Sequence, residues 1–157
     1  MKRIVITLTL FLLSGSAWSM AMLKDNGAAS SMFVGAYHQT ADNQTRITIG
    51  TSIPMADHLY ALTYGDIGGA GGSANAELVF YFKPISEWNL YIGILSGPNI
   101  YYDDPTFDFT AATGIILVQD VTENLGAWSA WKSVIGDEPG LNKWRHIIGG
   151  GVYFYLK

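Results

Sequence analysis

His38, His58 and His146 are the three histidines of this chain, and it has no cysteine. A thiol nucleophile and a thiolate metal site are therefore excluded. The nucleophilic chemistry left open is a hydroxyl beside an imidazole base, an arrangement suited to acyl transfer or hydrolysis. Ser133, Asp137 and Arg145 stand near His146, so His38, His146 and Ser133 form the candidate catalytic set. The simpler expectation for the two histidines is an interfacial or solvated position. A His38–His146 metal site has no evident third ligand, so neither a metal nor a cofactor is expected. Asp103, Asp104 and Asp108 could hold a divalent cation, but they read first as a solvated loop. The glycine run from Gly68 to Gly72 precedes no helix and so lacks the setting of a phosphate cradle. No Walker, Rossmann, zinc or triad spacing is present.

These residues must be positioned by an exported chain. Lys2 and Arg3 precede an apolar run from Ile4 to Leu13, followed by Ser14, Gly15, Ser16 and Ala17. That order, basic then apolar then small, is the layout of a secretory signal. The apolar run is too short for a spanning helix, which needs about 20 residues. Cleavage is expected after Ser19 or Ala21, leaving a linker over 22–31 and a single domain over 32–157. Loss of Lys2 and Arg3 takes the nine basic groups to seven against thirteen acidic ones, a net charge of −6. That balance argues against nucleic acid as a partner. Charged residues make up 14% of the chain, well below the roughly 25% of ordinary soluble domains, so much of its outside must be apolar.

Eight strand-like segments follow, near 32–38, 44–53, 58–65, 75–83, 89–96, 109–119, 125–132 and 145–156. Alternation marks four of them clearly. Ile47, Ile49, Thr51 and Ile53 oppose Arg46, Thr48, Gly50 and Ser52. Ala76, Leu78, Phe80 and Phe82 oppose Glu77, Val79, Tyr81 and Lys83. Leu90, Ile92 and Ile94 oppose Tyr91, Gly93 and Leu95. Ile148, Gly150, Val152, Phe154 and Leu156 oppose Ile147, Gly149, Gly151, Tyr153 and Tyr155. The predicted fold class is all-β, an eight-stranded antiparallel up-and-down barrel. Strands cross lipid only as a closed barrel, because every backbone group must be paired there. In a membrane barrel the apolar faces point outward; in a soluble one they point inward.

Connection lengths favour the membrane form. Short turns are expected near 54–57, 84–88 and 120–124, and longer loops at 66–74, 97–108 and 133–144. Trp88, Trp131 and Trp144 are expected in interfacial aromatic rings. Arg46, Glu77, Tyr81, Tyr91, Tyr153 and Tyr155 are expected to pack inside as a polar interior, with Arg46 and Glu77 pairing. His38 and His146 fall at the longer-loop end of the first and last strands, which closure makes neighbours. His58 falls at the opposite end.

The closing segment, Gly151-Val152-Tyr153-Phe154-Tyr155-Leu156-Lys157, resembles the C-terminal strand of small outer-membrane β-barrels. It departs from that pattern in ending on Leu156 and Lys157 rather than a terminal aromatic. Phe82 to Tyr91 also looks like a turn between two such barrel strands. The resemblance implies an outer-membrane location, contact with outer-membrane lipid or lipopolysaccharide, and assembly by the barrel machinery through the last strand. It leaves three functions: a structural or surface-interacting barrel without a wide pore, a lipid A-modifying enzyme, or a soluble lipocalin-like binder. Some small barrels modify lipid A, but the His-x-Ser motif of one deacylase family is absent, since His38 precedes Gln39-Thr40 and His146 precedes Ile147-Ile148.

Overall fold

The computed structural model describes residues 21–155 except 25–26, 41–42, 69–70, 86, 104–105 and 137–143. The expected signal up to residue 20, Asp104, Asp137, Leu156 and Lys157 lie outside the described residues. A small hairpin, β1 (Ala21–Lys24) with β2 (Gly27–Ala29), occupies the stretch read as a linker. The barrel strands are β3 (Ser31–Gln39), β4 (Gln44–Ala56), β5 (Leu59–Gly68), β6 (Gly71–Phe82), β7 (Leu90–Asp103), β8 (Thr106–Asp120), β9 (Leu125–Gly136) and β10 (Trp144–Tyr155). Each pairs antiparallel with the next, and β10 closes on β3. The predicted closed eight-stranded antiparallel barrel is the fold observed.

The register fixes the barrel's shape. A path of paired residues runs Gly126, Tyr153, Phe33, Gly50, Tyr64, Asn75, Asn99, Thr110 and back to β9 at Gly136. One circuit therefore advances ten residues along β9, from 126 to 136. Ten residues at ~3.3 Å over eight spacings of ~4.8 Å give a strand tilt of about 40°, within the usual range for barrels.

Alternation assigns the faces. Ile47, Leu78, Phe80, Ile94 and Ile148 are exposed on the outside, whereas Glu77, Val79, Tyr81, Leu95 and Tyr153 are buried inside. A lipocalin-like arrangement would place Ile47, Leu78 and Phe80 inward and is overturned by this facing. Glycine makes the narrow lumen possible. A Cβ at Gly149 would run into the Tyr37 ring, and one at Gly126 into the Tyr153 ring. Two large rings thus lie flat against bare backbone on neighbouring strands.

The expected loops at 66–74 and 97–108 are strands instead. β5 and β6 are joined by residues 69–70 alone, and β7 and β8 by 104–105. The inner face of these segments carries Asp66, Ser73, Asn75 and Asn99, polar residues that read as loop in the sequence. The neighbouring strands nonetheless supply their hydrogen bonds. The remaining expected loop, 133–144, shrinks to 137–143. Connections 40–43, 69–70, 104–105 and 137–143 belong to one end of the barrel, here the loop end, and 57–58, 83–89 and 121–124 to the end where β3 begins and β10 stops. Connection length therefore does not separate the two ends.

His58 sits in the 57–58 turn, not in a strand, with a left-handed φ of 64°. The register shift between Pro54 and Ala56 leads into this turn. His58 contributes its carbonyl, which accepts from Tyr81 N at 2.7 Å. Glycine keeps that bond and sheds the left-handed penalty, while adding freedom to the unfolded chain. His58→Gly is therefore expected to raise unfolding stability by about 0.5–1 kcal/mol in denaturant titration. A loss of stability would show that the ring's approach to Phe80, 6.2 Å between centroids, matters more than backbone strain.

Candidate functional site

Three polar layers fill the lumen, separated by an apolar one. The central layer is built on Lys132, from β9, and Glu77, from β6 on the opposite wall. Lys132 Nζ lies 3.1 Å from Glu77 Oε1, and both side chains are almost wholly buried. Tyr64 OH donates to the same oxygen at 2.6 Å, and Lys132 also donates to Tyr64 OH. The ammonium stands 4.4 Å from the Tyr37 ring centre and 4.6 Å from that of Tyr64. A buried cation is thus met by one carboxylate and two aromatic faces, which together offset its desolvation. Glu77 Oε2 has no hydrogen-bond partner among the described residues.

The second polar layer lies toward the loop end. Ser73 Oγ donates to Asp66 Oδ2 at 2.8 Å, and Asn75 Nδ2 reaches the same oxygen at 3.2 Å. Beyond it the Arg46 guanidinium lies 5.4 Å from the Tyr101 ring centre. The expected Arg46–Glu77 pair does not form. Glu77 is level with Leu62 and Ser52, six residues along β4 from Arg46. Six residues span ~20 Å of strand, beyond the combined reach of the two side chains. Lys132 takes the place assigned to Arg46.

At the terminal end Tyr153 OH donates to Asp120 Oδ1 at 2.5 Å, and Tyr155 OH donates to the same atom. Tyr60 and Tyr81 meet edge to face, 5.4 Å between centroids, and Tyr91 lies beneath Lys83, whose Nζ is 5.5 Å from its ring centre. Between this layer and the central one lies a cavity of about 30 Å³, walled by Phe33, Leu62, Ile116, Val118 and Trp128. It has room for no more than about two water molecules. The six residues expected inside, Arg46, Glu77, Tyr81, Tyr91, Tyr153 and Tyr155, all point into the lumen and are buried. Lys132, Tyr64, Asp66 and Asp120 share it and were not foreseen. The seventh segment held the signal for Lys132, since Trp128, Ala130 and Lys132 alternate with Ser129 and Trp131.

His38, His146 and Ser133 lie on the outer surface. His146 Nδ1 is 3.1 Å from Ser133 Oγ, and the ring stacks on Trp131 at 5.6 Å and 18°. His38 Nδ1 is 3.2 Å from Thr45 Oγ1. The two histidines occupy adjacent strands, but each leans toward its other neighbour, β9 for His146 and β4 for His38. They do not form one site. Serine catalysis needs, beside a base, a group that orients it and donors for the oxyanion. Among the described residues no carboxylate bonds to either ring. Ser133 is buried under this contact, only 5% exposed. Arg145 faces inward, and Asp137 lies outside the described residues. The contact closes two polar groups on each other. Ser96 and Thr113 do the same, donating to the carbonyls of Ala112 at 3.2 Å and Leu95 at 3.3 Å.

Trp88 is exposed in the 83–89 connection, and Trp144 begins β10 at the loop end, level with Ile135. Trp131 departs from the interfacial expectation. It pairs with Ile115 and Ile148 in mid-strand, because β9 continues to Gly136. The exposed aromatics near the ends are Phe107 and Phe109 at one and Phe82 and Phe154 at the other. Along the outer faces of β3 to β10, no Asp, Glu, Lys or Arg occurs among the described residues.

No family model and no curated protein matches the chain. Solved structures do match in fold. The N-terminal β-barrel domain of Pseudomonas aeruginosa OprF aligns with a TM-score of 0.64 at 17% identity, over 81% of this chain and 96% of that one. A chain from the de novo design of transmembrane β-barrels aligns at 0.63 and 15% identity, over 81% and 94%. The NMR structure of de novo designed TMB2.3 aligns at 0.58 and 15%, over 82% and 94%. A closed eight-stranded sheet, outer strand faces without Asp, Glu, Lys or Arg among the described residues, and a packed polar lumen give this chain the fold of a small transmembrane β-barrel.

Proposed function

We propose that the protein is an integral outer-membrane β-barrel with a structural or surface-interacting role, and not a wide pore. The observation that carries this reading is the inside-out distribution of charge. The described outer faces carry no Asp, Glu, Lys or Arg, while Lys132 and Glu77 are sealed in the lumen. Lipid tolerates such an outside and water does not. The Lys132–Glu77 pair packed with Tyr37 and Tyr64 across the lumen supports a barrel without a wide channel. The basic-apolar-small leader at 1–21 would export the chain across the inner membrane, and β10 would present it to the assembly machinery. The end where β3 begins and β10 stops then lies on the periplasmic side, and contact with partners falls to the opposite end of the barrel.

Expression of the full chain in a Gram-negative host tests the reading. The protein is expected in the outer-membrane fraction, without its leader, as a band whose gel mobility changes on boiling in SDS. Recovery as a soluble periplasmic protein with no heat shift would reject it.

A further inference from the structure

Among the described residues, the central and second polar layers of the lumen hold two carboxylates, Glu77 and Asp66, and one cation, Lys132. Lys132 is engaged by Glu77 Oε1 and by the faces of Tyr37 and Tyr64. Asp66 Oδ2 accepts from Ser73 and Asn75, whereas Asp66 Oδ1 has no donor among the described residues. Asn75 Oδ1 and Asn99 Oδ1 are buried in the same state. The amide of Asn75 has one sensible orientation, because its Nδ2 meets three oxygens: Ser73 Oγ at 2.8 Å, Asp66 Oδ2 at 3.2 Å and the Tyr64 carbonyl at 3.5 Å. Asn99 Nδ2 likewise faces the Gly97 carbonyl, at 3.4 Å.

These three side chains share one patch of the inner wall. Asn75 and Asn99 stand directly opposite across β6 and β7, and Asn75 bonds Asp66 across β5 and β6. Asp66, Asn75 and Asn99 are 4, 3 and 1% exposed. Thr48, opposite Asp66 across β4 and β5, brings its hydroxyl near the same carboxylate without completing a bond. The Arg46 guanidinium lies by Tyr101, and Asp66 Oδ1 accepts no bond from it. Buried acceptors without donors are costly, and an uncompensated buried carboxylate more so.

We propose that Asp66, Asn75 and Asn99 bind one monovalent cation of the sodium class inside the lumen, with Thr48 as a further oxygen ligand. A cation meets several acceptor oxygens at once and cancels the one excess negative charge. A water molecule has two protons to give and leaves that charge in place. A divalent ion takes more carboxylates than this wall offers and overshoots the charge to be balanced.

Urea unfolding of the full-length barrel in detergent micelles, in sodium chloride and in choline chloride of equal ionic strength, tests the proposal. A site with a Kd of ~10 mM raises the folding equilibrium constant about thirtyfold in ~0.3 M sodium over choline. Asp66→Asn, which removes the charge, and Asn99→Leu, which removes a ligand oxygen at similar volume, are each expected to bring that ratio within about twofold of unity. The leucine variant serves if the asparagine variant misfolds, and the wild-type comparison stands without either. Equal stability in sodium and choline, or a full sodium response in either folded variant, overturns the inference. A larger response to calcium chloride at the same ionic strength overturns the choice of a monovalent ion. None of these outcomes depends on the cellular membrane in which the barrel resides.

Discussion

Replacing Lys132 by methionine is expected to cost about 3–5 kcal/mol of unfolding free energy, read by urea titration in lipid vesicles. The reason is the carboxylate left behind. Glu77 is 2% exposed, and its Oε1 would retain the Tyr64 hydroxyl as its remaining bond. Burying an unpaired charge costs far more than the pair contributes while intact. Lys132→Met combined with Glu77→Gln should therefore recover most of the loss, since glutamine still accepts from Tyr64 and leaves no charge to bury. Glu77→Gln alone should cost less than Lys132→Met, because the ammonium keeps the faces of Tyr37 and Tyr64, 4.4 and 4.6 Å away. If Lys132→Met unfolds like wild type, the pair does not hold the two walls together, and water must reach the central layer.

An arginine at Leu78 is expected to cost about 2–4 kcal/mol in a bilayer, and the same change at Met55 about 0–1. Leu78 is 53% exposed and lies well inside β6, while Met55 is 62% exposed and is the next-to-last residue of β4, beside a turn. Near-equal exposure with unequal depth makes the pair informative. A guanidinium at Met55 reaches the headgroups, whereas one at Leu78 must draw water or headgroups toward the hydrocarbon. In a soluble barrel both sites would face water, and both changes would fall within ~0.5 kcal/mol. Matching values for the two variants would contradict a lipid-facing surface, whatever the fractionation result.

The strands that alternate cleanly were legible from sequence because one face is uniformly apolar. β4, β6, β7 and β10 read directly from Ile47-Ile49, Leu78-Phe80-Phe82, Leu90-Ile92-Ile94 and Ile148-Val152-Phe154. The upper halves of β5 to β8 did not. There the outer face interrupts Ile67, Ile100, Phe107 and Phe109 with Gly65, Gly72, Ala74, Pro98 and Ala111, and the inner one holds Asp66, Ser73, Asn75 and Asn99, so the alternation is broken by loop-like residues. Cross-strand hydrogen bonds hold these residues in the sheet, and such bonds depend on neighbours far along the chain.

The sequence by itself determined the class of fold, the strand number and which residues share a face, whereas the closed structure decided which face turns outward. The first three follow from a period of two and from the scarcity of charge, both local properties. Pairing inside the lumen was decided only by the tertiary structure. Lys132 and Glu77 are 55 residues apart, and nothing local matches them. They meet because the circuit advances ten residues, from Gly126 to Gly136, which brings one level of β9 across from one level of β6. The same shear carries Arg46 away from Glu77 and leaves His38 and His146 on one face with their rings turned apart.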